Sequence, residues 1–208
     1  MAIRDGMGNL VARVRQATAA GTAEYTAGTV SYWSDDDLED VLDGNSRMLI
    51  DTPLIWQVQN ISGTSNYIIA QSGWRDFEEA ASGTARWQVR DSAGSAVGTA
   101  NYTVDYRRGQ ITFNSDQGGT SYYLTAYTYD VNAAAADIWR QRLAHFSQWY
   151  DFSADNQQFS RSQAFEHAKS MVSFYEQQTG KNRVEAAAGD MRTGMFVRTD
   201  LMRSYSDD

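Results

Sequence analysis

The 208-residue chain has no cysteine, and that absence excludes a disulfide frame and any thiolate metal site. Two histidines, His145 and His167, are its whole stock of imidazole ligands. Proline occurs once, at Pro53, where it closes a segment. No apolar run approaches the roughly 20 residues needed to span a bilayer. The start Met1-Ala2-Ile3-Arg4-Asp5-Gly6 has no signal-peptide core, so a soluble, unprocessed protein with no membrane partner is expected. Positive charge is scarce: 18 basic against 26 acidic residues give net −8 and a pI near 4.7. That sign argues against a chain that grips nucleic acid by neutralising phosphates.

What is present is enough apolar material for one core of moderate size or two small ones, 42% hydrophobic and 12% aromatic. Met7 to Thr18 reads as a short helix with Leu10, Val11 and Val14 on one face and Arg13 and Arg15 on the other. Ala19 to Ser31, rich in Gly, Thr and Ala, fits a connecting loop. A second helix follows, capped by Ser34, with Asp35, Asp36 and Asp37 in the first turn, where the helix dipole favours negative charge. Leu38, Val41 and Leu42 form its buried stripe, which Met48, Leu49 and Ile50 are expected to extend past Gly44.

From Leu54 to Tyr129 the residues become aromatic and β-branched, broken by glycine turns. Strands are predicted at Leu54–Val58, Tyr67–Ile69 and Ala85–Val89, then a hairpin of Tyr102–Tyr106 with Ile111 and Phe113 across Arg107-Arg108-Gly109, and a last strand at Tyr122–Tyr129. Five or six such strands suit a compact antiparallel sandwich or barrel. At Asp130 the period changes from 2 to 3.6. Ala133 to Tyr150 is a predicted helix with Ala135, Trp139, Leu143, Phe146 and Tyr150 on its buried face and Arg140 and Arg142 off it. A loop through Phe152 to Gln158 leads to a further helix striped by Ala164, Ala168, Met171 and Tyr175 and stopped by Gly180. Two facing stripes make an antiparallel pair.

The expected fold class is therefore α+β: an antiparallel helical bundle frame, residues 1–53 and 131–180, with an inserted small antiparallel β-sandwich or barrel at 54–130 and an extended C-terminal arm at 181–208.

Catalytic chemistry finds little footing. Asp35, Asp36, Asp37, Glu39, Asp40 and Asp43 lack the alternating ligands, central glycine and distant Glu of a calcium loop, so they read as an acidic helix N-terminus. His145 and His167 lie on helices that could bring them to each other or to Asp137 or Glu166. With no H-E-x-x-H spacing and no G-x-S-x-G, they read as surface or interface residues. Asp76, Glu78 and Glu79 could mimic a glycosidase pair, but a solvated acidic loop has the same composition. Gly6-Met7-Gly8 and Gly189 to Gly194 lack the G-K-[ST] ending of a phosphate loop. Trp56, Trp74 and Trp87 could stack on sugars or bases, against the competing role of core packing. The expectation is a non-enzyme without cofactor, metal or catalytic residues.

The run Asn9-Leu10-Val11-Ala12-Arg13-Val14-Arg15, followed by Trp33-Ser34-Asp35-Asp36-Asp37-Leu38-Glu39-Asp40-Val41-Leu42-Asp43, resembles the first two helices of head-tail connector (adaptor) proteins of long-tailed bacteriophages. Tyr129 to Trp139, Asp151-Phe152-Ser153-Ala154-Asp155 and Arg161-Ser162-Gln163 are similar to the later helices of that group, including members with a β insertion. The resemblance covers the helical frame and carries no catalytic motif. It implies a virion structural protein at the head-tail junction, assembled in the host cytoplasm, whose copies form a ring, commonly a dodecamer, docked beneath the portal. Its partners would be the portal protein, the next neck or tail component (a stopper or tail terminator) and other copies of itself. Packaged DNA would pass through the channel without specific binding. Met195, Phe196, Leu201, Met202 and Tyr205 are the expected portal-docking anchors of the arm. The rival reading is a carbohydrate-binding β module on a helical spacer, of the tail or adhesion type.

Overall fold

The fold is that of a computed structural model and is described for residues 3–61, 63–79, 86–147, 152–154, 157–159 and 161–183. Helix α1, Gly8–Thr18, buries Leu10, Val11, Val14 and Thr18, and it ends where Ala19 turns left-handed at φ 51°. The following segment, expected as a loop, carries a small hairpin of β1, Tyr25–Ala27, and β2, Val30–Tyr32. Ring packing fixes it: Tyr25 stacks on Tyr32 at 5.1 Å and on the His145 ring at 4.0 Å. Helix α2, Asp35–Gly44, starts at a reciprocal capping box in which the Asp37 amide donates to the Ser34 hydroxyl and the Ser34 amide to the Asp37 carboxylate. Leu38 and Leu42 are its buried residues.

The apolar stripe does not continue past Gly44. Asn45 closes the helix by donating its side-chain amide to the Val41 carbonyl, and Met48, Leu49 and Ile50 enter strand β3, Ser46–Pro53. Leu49 points inward while Met48 and Ile50 are exposed, the alternation of a strand. Strands β4, Ile55–Ile61, β5, Thr64–Gln71, β6, Trp87–Asp91, β7, Tyr102–Asp105, β8, Gln110–Phe113, and β9, Tyr122–Tyr129, follow. All pairings are antiparallel, in two sheets ordered β3-β9-β6 and β4-β5-β8-β7. The predicted hairpin pairs Tyr102 with Phe113 and Asp105 with Gln110. Its turn needs glycine at 109 twice over: φ is 64°, and a Cβ there would sit 2.1 Å from the Trp74 carbonyl oxygen. Leu49, Val89 and Leu124 from one sheet and Ala70, Ile111 and Phe113 from the other join Phe77 and Trp87 in one apolar cluster.

Helix α3, Val131–Phe146, begins at Asp130, whose carboxylate accepts the Asn132 and Ala133 amides at 3.0 Å each. Ala135 and Trp139 of the predicted face are buried, and Leu143 and Phe146 are half-buried. Tyr150 lies outside the described residues. Arg142, expected off that face, is 4% exposed. It follows Trp139 by three positions, so the two side chains share a face, and its guanidinium lies 4.5 Å from that ring. From there it donates to the Thr18 carbonyl and the Glu24 carboxylate.

Between the helices, where a loop was expected, β10, Phe152–Ala154, pairs with β11, Gln157–Phe159. Helix α4, Arg161–Glu176, packs along α3 with Ala168 buried, and Ala164, Met171 and Tyr175 are half-buried. The Tyr175 hydroxyl reaches the Ala17 carbonyl at 2.7 Å, and Arg140 pairs with Glu176 at 2.6 Å.

The chain is thus α+β, with four helices and antiparallel sheets among the described residues. A second apolar cluster gathers Met7, Leu10, Val14, Trp33, Leu38, Leu42, Tyr129 and Ile138 around the first three helices. Among the described residues, no helix is long and apolar enough to cross a membrane. Met195, Phe196, Leu201, Met202 and Tyr205 fall in 184–208, outside the described residues.

Candidate functional site

Three features compete for a functional role: a buried charge node, a cationic cleft and a pair of open sheet edges. The node grows from the segment after β5. That segment is threaded between the N-terminal residues and β9: Phe77 N–H donates to the Tyr106 carbonyl, Glu78 N–H to Tyr127 and Glu79 N–H to Gly6. Gly6, at φ 94°, has no room for a Cβ, which would lie 2.2 Å from the Glu79 carbonyl oxygen. The threading drives Glu78 to 1% exposure. A buried carboxylate must find donors, and Glu78 has three: the Tyr129 hydroxyl at 2.7 Å, Arg86 Nη1 at 2.9 Å and Arg4 Nε at 3.1 Å.

Arg4 is the hub of this node. Its guanidinium also reaches Asp43 at 2.8 and 3.0 Å and Glu39 at 2.9 Å. The Asp43 hydrogen bond, then Glu78, raises the Arg4 pKa against the opposing effect of burial. In return the Arg4 guanidinium pulls Asp43 below the usual carboxylate range. Burial, with the Glu78 carboxylate second, raises the Tyr129 phenol well above its ordinary value. A general acid or base needs a free lone pair or proton and access for a reacting group. Here the carboxylate, the guanidinium and the phenol are engaged with one another, so the arrangement works as a joint.

The solvated-loop expectation for Asp76, Glu78 and Glu79 is therefore corrected. Asp76 pairs with Arg13 and Glu79 accepts from Asn9, both on α1, while Glu78 is at the centre of the node. Four carboxylates of the acidic run of α2 are similarly engaged within the chain: Asp37 in the cap, Asp35 on Arg15, and Glu39 and Asp43 on Arg4. Among the described residues, no group of three or more His, Asp or Glu could hold a metal ion. The two histidines have different neighbours, His145 stacking on Tyr25 and His167 meeting Trp139 edge-on at 5.5 Å.

The three tryptophans of the β elements are occupied too. Trp56 packs with Tyr67, Phe113 and Tyr122 and donates its indole N–H to the Thr120 carbonyl. Trp74 has the Arg47 guanidinium 4.9 Å from its ring centre, and Trp87 lies buried against Phe77 and Tyr106.

The cleft, about 870 Å³, opens between α1, the end of β5, the β7–β8 turn and the turn after α4. Among the described residues five cations line it: Arg13, Arg75, Arg107, Arg108 and Lys181. Asp76 and Asp105 are the lining carboxylates, and Gln71, Asn132, Gln178 and Asn182 supply amides. Arg13 is spent on Asp76 and Lys181 on the Gln178 side chain, and Arg108 stands 3.8 Å from Asp105. Among the described residues, the guanidinium groups of Arg75 and Arg107 make no ion pair. Nothing in the sequence marked this site except the doublet Arg107-Arg108, read there as a turn.

The open edges lie on consecutive strands. Among the described residues β3 ends one sheet and β4 ends the other, with Leu54 between them. Four apolar side chains are exposed along them: Met48, Ile50 (66%), Ile55 and Val58 (54%). Unpaired backbone groups beside apolar side chains form a template for another chain.

No family model matches the chain, and no curated protein or solved structure matches it either.

Proposed function

We propose that the chain is a virion structural protein, a head-tail connector (adaptor) of a long-tailed bacteriophage, whose copies form a ring under the portal that joins capsid to tail and continues the DNA channel. The observation that carries this reading is the pair of open sheet edges at β3 and β4, with Met48, Ile50, Ile55 and Val58 exposed along them. A ring needs a heterologous contact, one face of each copy against a different face of the next, and an open apolar edge is a surface of that kind. The helices serve as a bundle-like frame and the two sheets as a sandwich carried on it. The internal use of the charged clusters supports a rigid building block rather than a catalyst. A dodecamer is the stoichiometry expected from the resemblance. The net charge of −8 suits a channel in which tight phosphate contacts would stall DNA.

Analytical ultracentrifugation and negative-stain electron microscopy of the purified protein, alone and with portal, test the proposal. Closed rings, alone or on portals, are expected, and Ile50→Lys with Val58→Lys should disperse them while leaving circular dichroism unchanged. A monomer that ignores portal would overturn the reading. The arm carrying Met195, Phe196, Leu201, Met202 and Tyr205 is assigned to portal docking. Truncation after Gly189 should give a folded protein that no longer joins portal-bearing capsids, and unchanged attachment would refute that assignment.

A further inference from the structure

We propose that the cationic cleft is a docking site for an acidic, extended peptide segment of another protein. The cleft is an island of opposite sign: among the described residues its lining holds five cations and two carboxylates, while the chain apart from these seven carries 13 basic against 24 acidic residues. Local charge of this sign on an acidic body focuses an anionic partner onto one place. Arg75 and Arg107 are the groups left to meet it, since among the described residues neither guanidinium makes an ion pair. Their backbones are held, Arg75 N–H donating to the Asn182 carbonyl at 2.8 Å and the Arg107 carbonyl accepting from Asp76 N–H at 3.2 Å. Each backbone is thus anchored at the cleft, and a guanidinium fork can meet a carboxylate through two parallel N–H···O bonds.

The rest of the lining selects a peptide over a nucleic acid. Gln71 and Asn182 each carry a side-chain donor and acceptor, the same pair that every peptide unit needs. The Asn132 amide already donates to the Gln178 carbonyl and the Gln178 side-chain oxygen accepts from Lys181, leaving Asn132 its oxygen and Gln178 its N–H groups. Asp105 adds an acceptor, which a peptide N–H can meet. A phosphodiester backbone accepts hydrogen bonds and donates none, so these carbonyl and carboxylate oxygens would face it without partners. Among the described residues no aromatic ring lines the cleft, so they supply no platform on which single-stranded bases would stack. The volume, about 870 Å³, is far larger than one carboxylate or phosphate and falls in the size range of pockets that enclose whole ligands.

Fluorescence anisotropy tests this with the full chain and a short labelled peptide alternating glutamate and serine, beside a labelled single-stranded DNA of equal net charge and inorganic phosphate as a competitor. Peptide binding is expected to weaken steeply with salt. It should fall by at least about tenfold when Arg75→Glu and Arg107→Glu are combined, the scale of loss for charges that meet a partner directly. Arg90→Glu, outside the cleft, should leave it unchanged. Circular dichroism confirms that each variant is folded. Absence of peptide binding, an equal loss in Arg90→Glu, or tighter binding of DNA or phosphate than of peptide through the same two arginines would each overturn the proposal.

Discussion

Replacing Glu78 by alanine would strip the central acceptor from a node that joins four parts of the chain. Breaking a buried ion pair by removing one partner costs about 3–5 kcal/mol, because the other charge stays behind unpaired. Two features put this case at the lower end. Arg4 keeps Asp43 and Glu39, and the Arg4 and Arg86 side chains are 26% and 33% exposed, so both guanidinium groups can regain water. The Tyr129 hydroxyl is the group left worse off, with Asp43 Oδ1 at 3.4 Å as its remaining acceptor. We therefore expect a loss of about 3 kcal/mol, or about 6–12 °C in melting temperature for a chain of this length.

Glu78→Gln keeps the shape but only one acceptor oxygen. With that oxygen toward Tyr129 and Arg86 its NH2 group faces Arg4 Nε, donor against donor, and the expected cost of the lost bond and the lost charge is about 2 kcal/mol. Urea denaturation followed by tryptophan fluorescence and far-ultraviolet circular dichroism gives both numbers, provided the slope of the transition is unchanged. A loss below about 1 kcal/mol for the alanine variant would refute the claim that this carboxylate is desolvated and structurally central.

Ser34→Ala removes the α2 cap and should cost about 1 kcal/mol by the same measurement, with no loss refuting the capping role. Gly109→Ala drives a methyl into the Trp74 carbonyl and the Phe77 ring and should cost at least about 2 kcal/mol; a neutral outcome would show that the β7–β8 turn is placed wrongly. The raised Tyr129 phenol means that the folded chain holds this proton more tightly than the unfolded one. Its contribution is intact below the ordinary value of 10.0 and is lost as pH rises from there through the folded value. Stability measured between neutral and strongly alkaline pH should fall less steeply in Tyr129→Phe than in the parent, and parallel curves would count against the buried phenol. At the other end of the scale, the lowered Asp43 carboxyl contributes stability above its ordinary value of 3.8, and this is lost as pH falls through the folded value. Asp43→Asn should flatten that acid limb, and an unchanged limb would argue against the Arg4–Asp43 bond.

The elements readable in the sequence were those fixed by neighbours in the chain. Ser34 and Asp37 are three residues apart and form the capping box, and Gly109 sits in the turn that its own backbone freedom permits. The strand at Tyr122 to Tyr129 and the stripe through Ala135 and Trp139 also persist in the fold, although Leu124, Thr125 and Ala126 are buried in succession because β9 is the central strand of its sheet. Met48-Leu49-Ile50 misled because a short apolar run has no period of its own; pairing with Tyr127 and Ala126, far along the chain, made it a strand. The same holds for charge. Glu78 looks like any loop carboxylate until Arg4, Arg86 and Tyr129 converge on it, and Arg142 looks exposed until Glu24 and the Thr18 carbonyl meet it beneath α3. The cleft was least legible, since residues 13, 75, 107, 132 and 181 come together only through tertiary structure.

The amide of Asp130 donates to the carbonyl of Asn45 at 3.0 Å, so the whole excursion through both sheets departs and returns across the width of one hydrogen bond. The Asp130 carboxylate also accepts the Gly180 amide, which brings the turn after α4 to the same spot. A gene encoding such a chain can lengthen, shorten or exchange the stretch between these two residues without changing the distance that the helices must bridge. What resists exchange is the set of tethers farther in, Arg4 to Glu78, Asn9 to Glu79 and Arg13 to Asp76, which any replacement module would have to match or do without.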